Sequence, residues 1–428
     1  MKIFGSDGFR SKYGTKYMTK EFITNFSRSF AIFCHRNEDS QSVIIGRDTR
    51  KSGKELESVI SSVLSNNGVS VTLAGVISTP GLAFLAKSEK FSFGIMITAS
   101  HNPASDNGIK IFSQDGFKLD TYSESLIEDE INNPSQKSLN LESSNIYTSN
   151  HILNKYADFF RDKFQYSNSK YRYLIDCSNG SNSEICKLLF KDNENITLIY
   201  NDPNGHNINL NCGALEPDNL YKKTVENNCD YGISFDGDGD RAIFCHHEYG
   251  IIDTEKIIAL LSKSISKESL DKKTIVSTII SNKGLKTNLN ELGINLIETE
   301  LGDRLVVNKT IETNSLMGAE TSGHYFFPDQ STTMDGLLTF FKFKEIIETS
   351  NDSIINYISK LVHYNVIKAN VPVKEGLNLK VLKNRLKKEI LPNEKLVLRE
   401  SMWDPVIRVY YNYEVKDRFE ALEKIINE

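Results

Sequence analysis

The stretch Phe93-Gly94-Ile95-Met96-Ile97-Thr98-Ala99-Ser100-His101-Asn102-Pro103 decides how the chain is read, because an apolar run empties into a polar turn. A short, partly β-branched apolar run reads as a buried strand. Pro103 has no N–H to give a ladder, so regular pairing must end before it. Ser100 is then held by rigid backbone and exposed at its tip, the place where α/β folds carry reactive groups. An ordinary strand-ending turn uses the same residue types, so this stretch alone leaves both readings open.

Outward from it, helical and strand patterns alternate. A helix is expected from about Thr19 to Cys34, a strand from Ser42 to Ile45, a helix through Glu55 to Leu64 and a strand from Val69 to Leu73. Such alternation predicts a sheet covered by helices. Gly46-Arg47-Asp48-Thr49-Arg50 reads as a surface ion-pair cluster. Gly5-Ser6-Asp7-Gly8-Phe9-Arg10 is a glycine-bounded loop whose Arg10 can reach an anion, or simply a hairpin. After the turn signal Asp106-Asn107-Gly108, the strand Ile109 to Phe112 returns and brings Lys110 near Ser100. The residues from about Asp120 to Asn150, rich in Ser, Asn, Glu and Gln with a helix through Leu126, look like the exit from this first unit.

A second unit runs through the strand Tyr173 to Asp176, the turn Cys177-Ser178-Asn179-Gly180-Ser181 and the apolar strand Tyr231 to Phe235. That strand ends in Asp236-Gly237-Asp238-Gly239-Asp240-Arg241. Three carboxylates at alternate positions repel one another unless a cation sits between them. The glycines let the backbone turn so that all three converge. An EF-hand is excluded, because its sixth position would be Arg241 instead of glycine and its twelfth His247 instead of glutamate. Few, hard oxygen ligands on one loop suit Mg²⁺.

A third unit begins near Ile251, with helices expected over Thr254 to Ile265 and Leu285 to Leu292 and strands over Thr274 to Ile280 and Asn295 to Glu298. Gly318-Ala319-Glu320-Thr321-Ser322-Gly323-His324 packs an acid, hydroxyls and an imidazole between glycines, a polar loop able to hold sugar hydroxyls. Residues Ser331 to Gly336 cap a long amphipathic helix to about Ile347. The tail alternates strands at Asn365 to Val373, Lys395 to Leu398 and Val406 to Tyr411 with helices between and after them, a smaller α+β unit.

At 428 residues the chain exceeds a single hydrophobic core. Its 39% hydrophobic and 25% charged residues fit a folded, soluble protein. A net charge of -5 without a Lys/Arg tract argues against nucleic acid. The six cysteines show no CxxC spacing, and no apolar run approaches about 20 residues, so no membrane span and a cytoplasmic location are expected.

Several motifs, taken in order, resemble the α-D-phosphohexomutase family over essentially the whole chain. They are Phe4 to Arg10, Ile45 to Arg50, Ala99 to Pro103, Asn107-Gly108-Ile109-Lys110, Asn207-Ile208-Asn209 with Cys212-Gly213, the aspartate loop, Gly302-Asp303-Arg304, and Thr332 to Gly336. The resemblance implies three similar α/β domains with mixed sheets sandwiched by helices, plus a smaller C-terminal α+β domain, around a central cleft. The ranges expected are 1–148, 149–248, 249–362 and 363–428. It further implies that Ser100 is a phosphoserine and that Asp236, Asp238 and Asp240 hold Mg²⁺ with its phosphate. Glu320 and Ser322 would hold sugar hydroxyls; Arg10, His101, Arg241 and His324 would line the cleft, and Lys110 would handle a proton.

The implied reaction moves a phosphoryl group within a hexose or hexosamine phosphate through a sugar 1,6-bisphosphate. The best match is to the bacterial branch that interconverts glucosamine 6-phosphate and glucosamine 1-phosphate. Mannose and glucose phosphates are alternatives, favoured by the aromatic Tyr325-Phe326-Phe327, and a monomer or homodimer is expected. The family's phosphate loop reads Arg-x-Ser-x-Thr-Glu-Pro; here Arg399, Ser401 and Pro405 remain, with Arg408 beyond, but Met402, Trp403 and Asp404 depart from it. Replacing the threonine by Trp403 removes one hydrogen bond to phosphate, worth about 1.5 to 3 kcal/mol. A weakly active sugar-phosphate binder is the reading this loop favours, and Thr321 departs from the residues usual in the sugar loop.

Overall fold

The computed structural model describes residues 2–37, 41–134, 142–149, 151–164, 169–268, 271–350, 353–372, 381–382, 391, 394–400 and 406–413. The first sheet has the order Phe9–Lys12, Asp106–Ser113, Phe93–Ile97, Ser42–Arg47, Ser70–Val76, Ile146–Thr148. Its two sides are both buried, which the alternation of side chains makes explicit. Val43, Ile45, Ile95 and Ile97 face a cluster with Phe26 and Phe30 of the helix Lys20–Asn37. Ile44, Met96 and Phe112 face the other way, onto Leu82 and Leu85 of the helix Thr79–Ser88. Each such side chain stabilises the fold by about 1.5 to 3 kcal/mol when fully buried. The buried run Phe93–Ile97 is therefore continuous and not alternating, as expected for a sheet covered on both faces.

The second sheet has the order Gly250–Ile252, Ala242–His246, Tyr231–Phe235, Tyr173–Asp176, Ile196–Ile199, and the third Asn295–Thr299, Thr274–Thr278, Gly318–Glu320, His324–Phe326. One arrangement recurs in all three. Three parallel strands are followed by a fourth that folds back antiparallel on the third. The turn at which it folds back holds residues 98–105, 236–241 and 321–323 respectively. The fourth sheet is antiparallel, in the order Asn365–Pro372, Val406–Tyr413, Lys395–Glu400.

The structure adds elements that the sequence did not mark and moves one boundary. In residues 120–149 the helix expected through Leu126 is Thr121–Asn132, which packs on the first unit, and the edge strand Ile146–Thr148, which was not foreseen, pairs with Ser70–Val76. The helix Thr79–Ser88 was not foreseen; it starts at the Ser78 cap, with Pro80 in its first turn. The second sheet reaches past residue 248, since Gly250–Ile252 pairs with Ala242–His246. Most of the helix expected before Lys395, and the whole of the final one, lie outside the described residues. All six cysteines are free and buried. No helix among the described residues is long and apolar enough to cross a membrane.

Candidate active site

Ser100 sits at the first of the three turns with a positive φ of 51°, a conformation that costs a non-glycine residue roughly 1 to 2 kcal/mol. A set of buried bonds holds it there. Its N–H donates to Thr98 Oγ1 (2.8 Å), and its carbonyl accepts from Arg50 Nη2 (3.0 Å) and Asn209 Nδ2 (2.9 Å). Arg50 also donates to Asn102 O (2.5 Å) and to the Asp48 carboxylate, while Thr98 Oγ1 donates to Asp48 Oδ2 (2.6 Å). Asp48 and Arg50 are 0% and 1% exposed, so the expected surface ion-pair cluster is instead a buried brace under the serine loop. Ser100 itself is 2% exposed, not presented at an open tip, because the aspartate loop closes over it.

Ser100 Oγ donates to Asp236 Oδ2 at 2.6 Å. Asp236, Asp238 and Asp240 are buried, and each offers a ligand atom within 4.8 Å of the others. Gly237 lets this loop approach: a Cβ there would lie 2.7 Å from Ser100 O. Thr79 grips the loop from the first unit, with Oγ1 donating to Asp238 Oδ2 (2.5 Å) and N–H to Asp238 O (2.9 Å). Asp238 Oδ1 is buried without a partner, an acceptor aimed into the acidic cluster. Burial, with repulsion from Asp240 and Asp238, pushes Asp236 well above the usual carboxylate range. Three carboxylates this close repel one another, a cost that a cation between them would remove. A divalent cation fits this donor set, which is all hard oxygen with one acceptor unclaimed.

Lys110 Nζ reaches the same cluster from its strand, 2.8 Å from Asp238 Oδ2, 3.2 Å from Asp240 Oδ2 and 3.1 Å from Asp7 Oδ2. Burial alone would lower its pKa, but Asp238, Asp7 and Asp240 outweigh that and hold it as an ammonium, well above an ordinary lysine. Burial likewise favours a neutral Asp240, yet Lys110 and His324 hold it well below the usual range.

His324 Nδ1 lies 3.0 Å from Glu320 Oε2 and 2.9 Å from Ser322 Oγ, and its Nε2 lies 3.2 Å from Asp240 Oδ1. Burial opposes its charge, but Asp240 pushes its pKa up to about 10. It is then an imidazolium, and Arg241 Nε at 3.2 Å from Nε2 is a like-charge approach offset by Asp236 and Asp240. His101 behaves oppositely: burial and then Arg241 and Arg10 push it down to about 4, so Nδ1 is free to accept from Arg241 Nη2 at 2.9 Å. Arg10 stands at the edge, 3.4 Å from Asn102 Oδ1 and 3.7 Å from Asp7.

The structure therefore gathers Ser100, His101, Lys110, Arg10, Asp236, Asp238, Asp240, Arg241, Glu320, Ser322 and His324 around one cluster. The expected sugar loop is a hairpin, with strands Gly318–Glu320 and His324–Phe326. Tyr325, Phe326 and Phe327 are 1%, 0% and 3% exposed, core residues that face no sugar. Arg399 and Arg408 lie apart on the fourth sheet as direct cross-strand partners. Two cations so placed repel unless an anion is shared between them. Ser401, Met402, Trp403, Asp404 and Pro405 lie outside the described residues.

Sequence reasoning missed Asp7, Thr79 and Lys118. Asp7 links Lys110 to Lys118, which also pairs with Asp303 of the third unit. A bidentate pair from Arg304 to Glu124 (2.8 and 2.5 Å) runs alongside. No spacing pattern marks such residues, since the partners just named are 103 or more positions away in the sequence and meet only in the fold.

Comparison with known proteins agrees with this geometry. Residues 1–138 match phosphoglucomutase/phosphomannomutase alpha/beta/alpha domain I, and residues 253–364 match domain III of the same family. A phosphoglucosamine mutase of Caldicellulosiruptor saccharolyticus is 35% identical over 95% of this chain and 94% of its own. A phosphoglucomutase/phosphomannomutase family protein of Burkholderia thailandensis superposes with a TM-score of 0.82 at 21% identity, over 99% of this chain and 96% of its own. An Aspergillus fumigatus N-acetylphosphoglucosamine mutase, solved in complex with GlcNAc-6P and magnesium, gives a TM-score of 0.67 at 14% identity, over 100% and 95%. Fold and site thus define a sugar-phosphate mutase, an isomerase of mixed α/β units. The chain belongs to the α-D-phosphohexomutase family, and phosphoglucosamine mutases are among its full-length curated relatives.

Proposed function

We propose that this enzyme interconverts glucosamine 6-phosphate and glucosamine 1-phosphate in the cytoplasm, as a monomer or homodimer, through phospho-Ser100 and a glucosamine 1,6-bisphosphate. The observation that carries the chemistry is the 2.6 Å bond from Ser100 Oγ to Asp236, inside a cluster of three buried carboxylates. The full-length likeness to phosphoglucosamine mutases supports the substrate. Domain ranges of 1–148, 149–248, 249–362 and 363–428 suit the four sheets, apart from the edge strand Gly250–Ile252.

Asp236, Asp238 and Asp240 would hold Mg²⁺ with the serine phosphate, and the ion supplies charge neutralisation at the phosphoryl oxygens. The residues themselves do the rest. Phosphoryl leaves Ser100 Oγ for the free hydroxyl of the sugar monophosphate: the Oγ–P bond breaks, a sugar O–P bond forms, and the hydroxyl proton goes to Lys110 in place of the one that Lys110 gives to the departing Oγ. Lys110, held as an ammonium, neutralises the charge that develops and is the group that gives a proton to the departing oxygen. Asp236 then accepts the hydroxyl of the discharged serine. Glu320 and Ser322, fixed by His324, offer acceptors to vicinal sugar hydroxyls, and Arg399, Ser401 and Arg408 take the non-reacting phosphate. After the bisphosphate turns end for end, the other phosphoryl returns to Ser100.

Turnover of glucosamine, glucose and mannose phosphates, each with its bisphosphate and Mg²⁺, tests the substrate; preference for mannose or glucose would overturn it. Intact mass tests the nucleophile. A phosphoryl adduct present in wild type and absent in Ser100→Ala is expected, and an adduct that survives the substitution would refute the assignment.

A further inference from the structure

The aspartate loop is gripped at three consecutive carbonyls, and each grip comes from the start of a different helix. Ser181 N–H, at the start of Asn182–Phe190 in the second unit, donates to Gly237 O (2.9 Å). Thr79 N–H, opening Thr79–Ser88 in the first unit, donates to Asp238 O (2.9 Å), and Gly336 N–H, opening Gly336–Thr349 in the third, donates to Gly239 O (3.1 Å). The first N–H groups of a helix have no partner within it, so these donors are free to serve the loop. With the backbone fixed in this way, the remaining freedom lies in how the carboxylates turn.

The three carboxylates are held unequally. Asp236 takes one bond on each oxygen, from Ser100 Oγ and from Arg241 N–H, and Asp240 likewise has Lys110 on one oxygen and His324 on the other. Asp238, fully buried, has both of its side-chain bonds on Oδ2, from Thr79 Oγ1 at 2.5 Å and Lys110 Nζ at 2.8 Å. A carboxylate oxygen carries two lone pairs, so these two donors fill Oδ2. Oδ1 has no partner among the described residues. Thr79 is itself 1% exposed and bound to Asp238 through its N–H as well, so its hydroxyl stays in register with the carboxylate that it holds.

A carboxylate with one oxygen filled can give a cation only the other. That distinction separates the two common hard divalent cations. Mg²⁺ demands near-ideal octahedral geometry at about 2.0–2.1 Å, which suits one oxygen per carboxylate, whereas Ca²⁺ takes about six to eight oxygens at longer range and accepts a carboxylate by both. We propose that Thr79 sets the cation selectivity of this centre: it is a positioning residue that keeps Asp238 to a single ligating oxygen and so favours Mg²⁺ over Ca²⁺. The inference rests on the reading of the three aspartates as a metal centre, and it places the selectivity in the first unit although every aspartate belongs to the second.

The test is calorimetric titration of full-length, metal-free protein with Mg²⁺ and, separately, with Ca²⁺, in the absence of sugar phosphate. Thr79→Val keeps the shape of the side chain and the N–H bond to Asp238 O but loses the hydroxyl. Its dissociation constant for Mg²⁺ should rise about tenfold, the usual cost of removing a group that orients a ligand. That for Ca²⁺ should change by less than about twofold, because the released oxygen becomes available to the larger ion. Thr79→Ser keeps the hydroxyl and should retain the wild-type ratio of the two constants. Thr79→Ala, which sets no methyl against the carboxylate, should shift the ratio as valine does, and urea melts of the metal-free variants check that each is folded. A residue that merely joined two units would weaken both cations alike. Equal weakening, a ratio unchanged in the valine and alanine variants, or a serine variant that behaves like valine would each overturn the proposal. Failure of wild type to bind Mg²⁺ would remove the metal centre and the proposal with it, whereas failure of the glucosamine phosphate or phosphoserine assignment leaves these titrations as they are.

Discussion

Replacing Arg50 by methionine removes the one cation under the serine loop while keeping most of its volume. The guanidinium is 1% exposed and donates to Asp48, to Ser100 O at 3.0 Å and to Asn102 O at 2.5 Å. Removing one partner of a buried pair costs about 3 to 5 kcal/mol, because the other charge stays buried. Here the lower end applies. Asp48 keeps its bonds from Thr98 Oγ1 and from the residue-50 N–H, and Asn209 Nδ2 still serves both carbonyls. A loss of about 3 kcal/mol is therefore expected in urea denaturation of Arg50→Met. Activity should fall by roughly 100-fold, a loss comparable with that in stability, because Ser100 is held at a positive φ and a misplacement of about 1 Å costs about that much in rate. Arg50→Lys should lie between the two, since an ammonium restores charge but not the fork that reaches two carbonyls. If Arg50→Met stays within about 0.5 kcal/mol of wild type and keeps its turnover, the brace has no such role.

Asp238→Asn should weaken Mn²⁺ and Mg²⁺ binding in calorimetry and lower turnover by about 100-fold or more; unchanged metal affinity would refute the ligand assignment. Gly237→Ala places a Cβ 2.7 Å from Ser100 O and 2.8 Å from Ile208 Cδ1, so a stability loss of about 1 to 3 kcal/mol and a lower phosphoserine content by mass are expected. Asp176 supplies a pH test. Burial pushes it up to about 7 despite N–H bonds from Gly213 and Ser178, so the folded state binds a proton that the unfolded state has already lost. Stability from this group is complete below the ordinary aspartate pKa and is lost as pH rises towards 7. Between pH 5 and 7 wild type should lose about 2 kcal/mol more than Asp176→Asn in urea melts, and parallel curves would refute the shift.

The sheets were legible where sequence and burial coincide. Phe93–Ile97, Tyr173–Asp176 and Tyr231–Phe235 read to the residue, because both faces are covered and the runs are mostly apolar and buried throughout. The aspartate loop was legible because like charges at alternate positions demand an explanation within the loop itself. Gly318–Glu320 and His324–Phe326 were not, since three residues are too few for a period of two to show. Arg50 was misjudged because an Arg-Asp pair near a turn is locally the same whether wet or dry; only Ser100 and Asn102, 50 and 52 positions on, make it dry. Tyr325 to Phe327 misled for the opposite reason: aromatic residues beside a polar loop suggest a ligand, yet they fill the core beneath it.

The stitching between units has a mechanical consequence. The first and second are joined through Thr79 to Asp238 and Thr49 to Asn179, the second and third share one apolar cluster, and Lys118 and Arg304 tie the third back to the first. These make a closed ring in which no member can swing without breaking buried bonds. The fourth sheet is different. It hangs from one margin of the third unit, where Lys283 N–H donates to Asn412 Oδ1 (2.7 Å), Lys395 Nζ to Ser281 O (2.8 Å) and Asn282 Nδ2 to Tyr364 O (2.7 Å). Under the proposed reaction, a bisphosphate that turns over without escaping needs a fixed floor and a movable wall. The ring of three supplies that floor, and under the same proposal the wall bearing Arg399 and Arg408, tied to it among the described residues at the margin of the third unit, is the part placed to move.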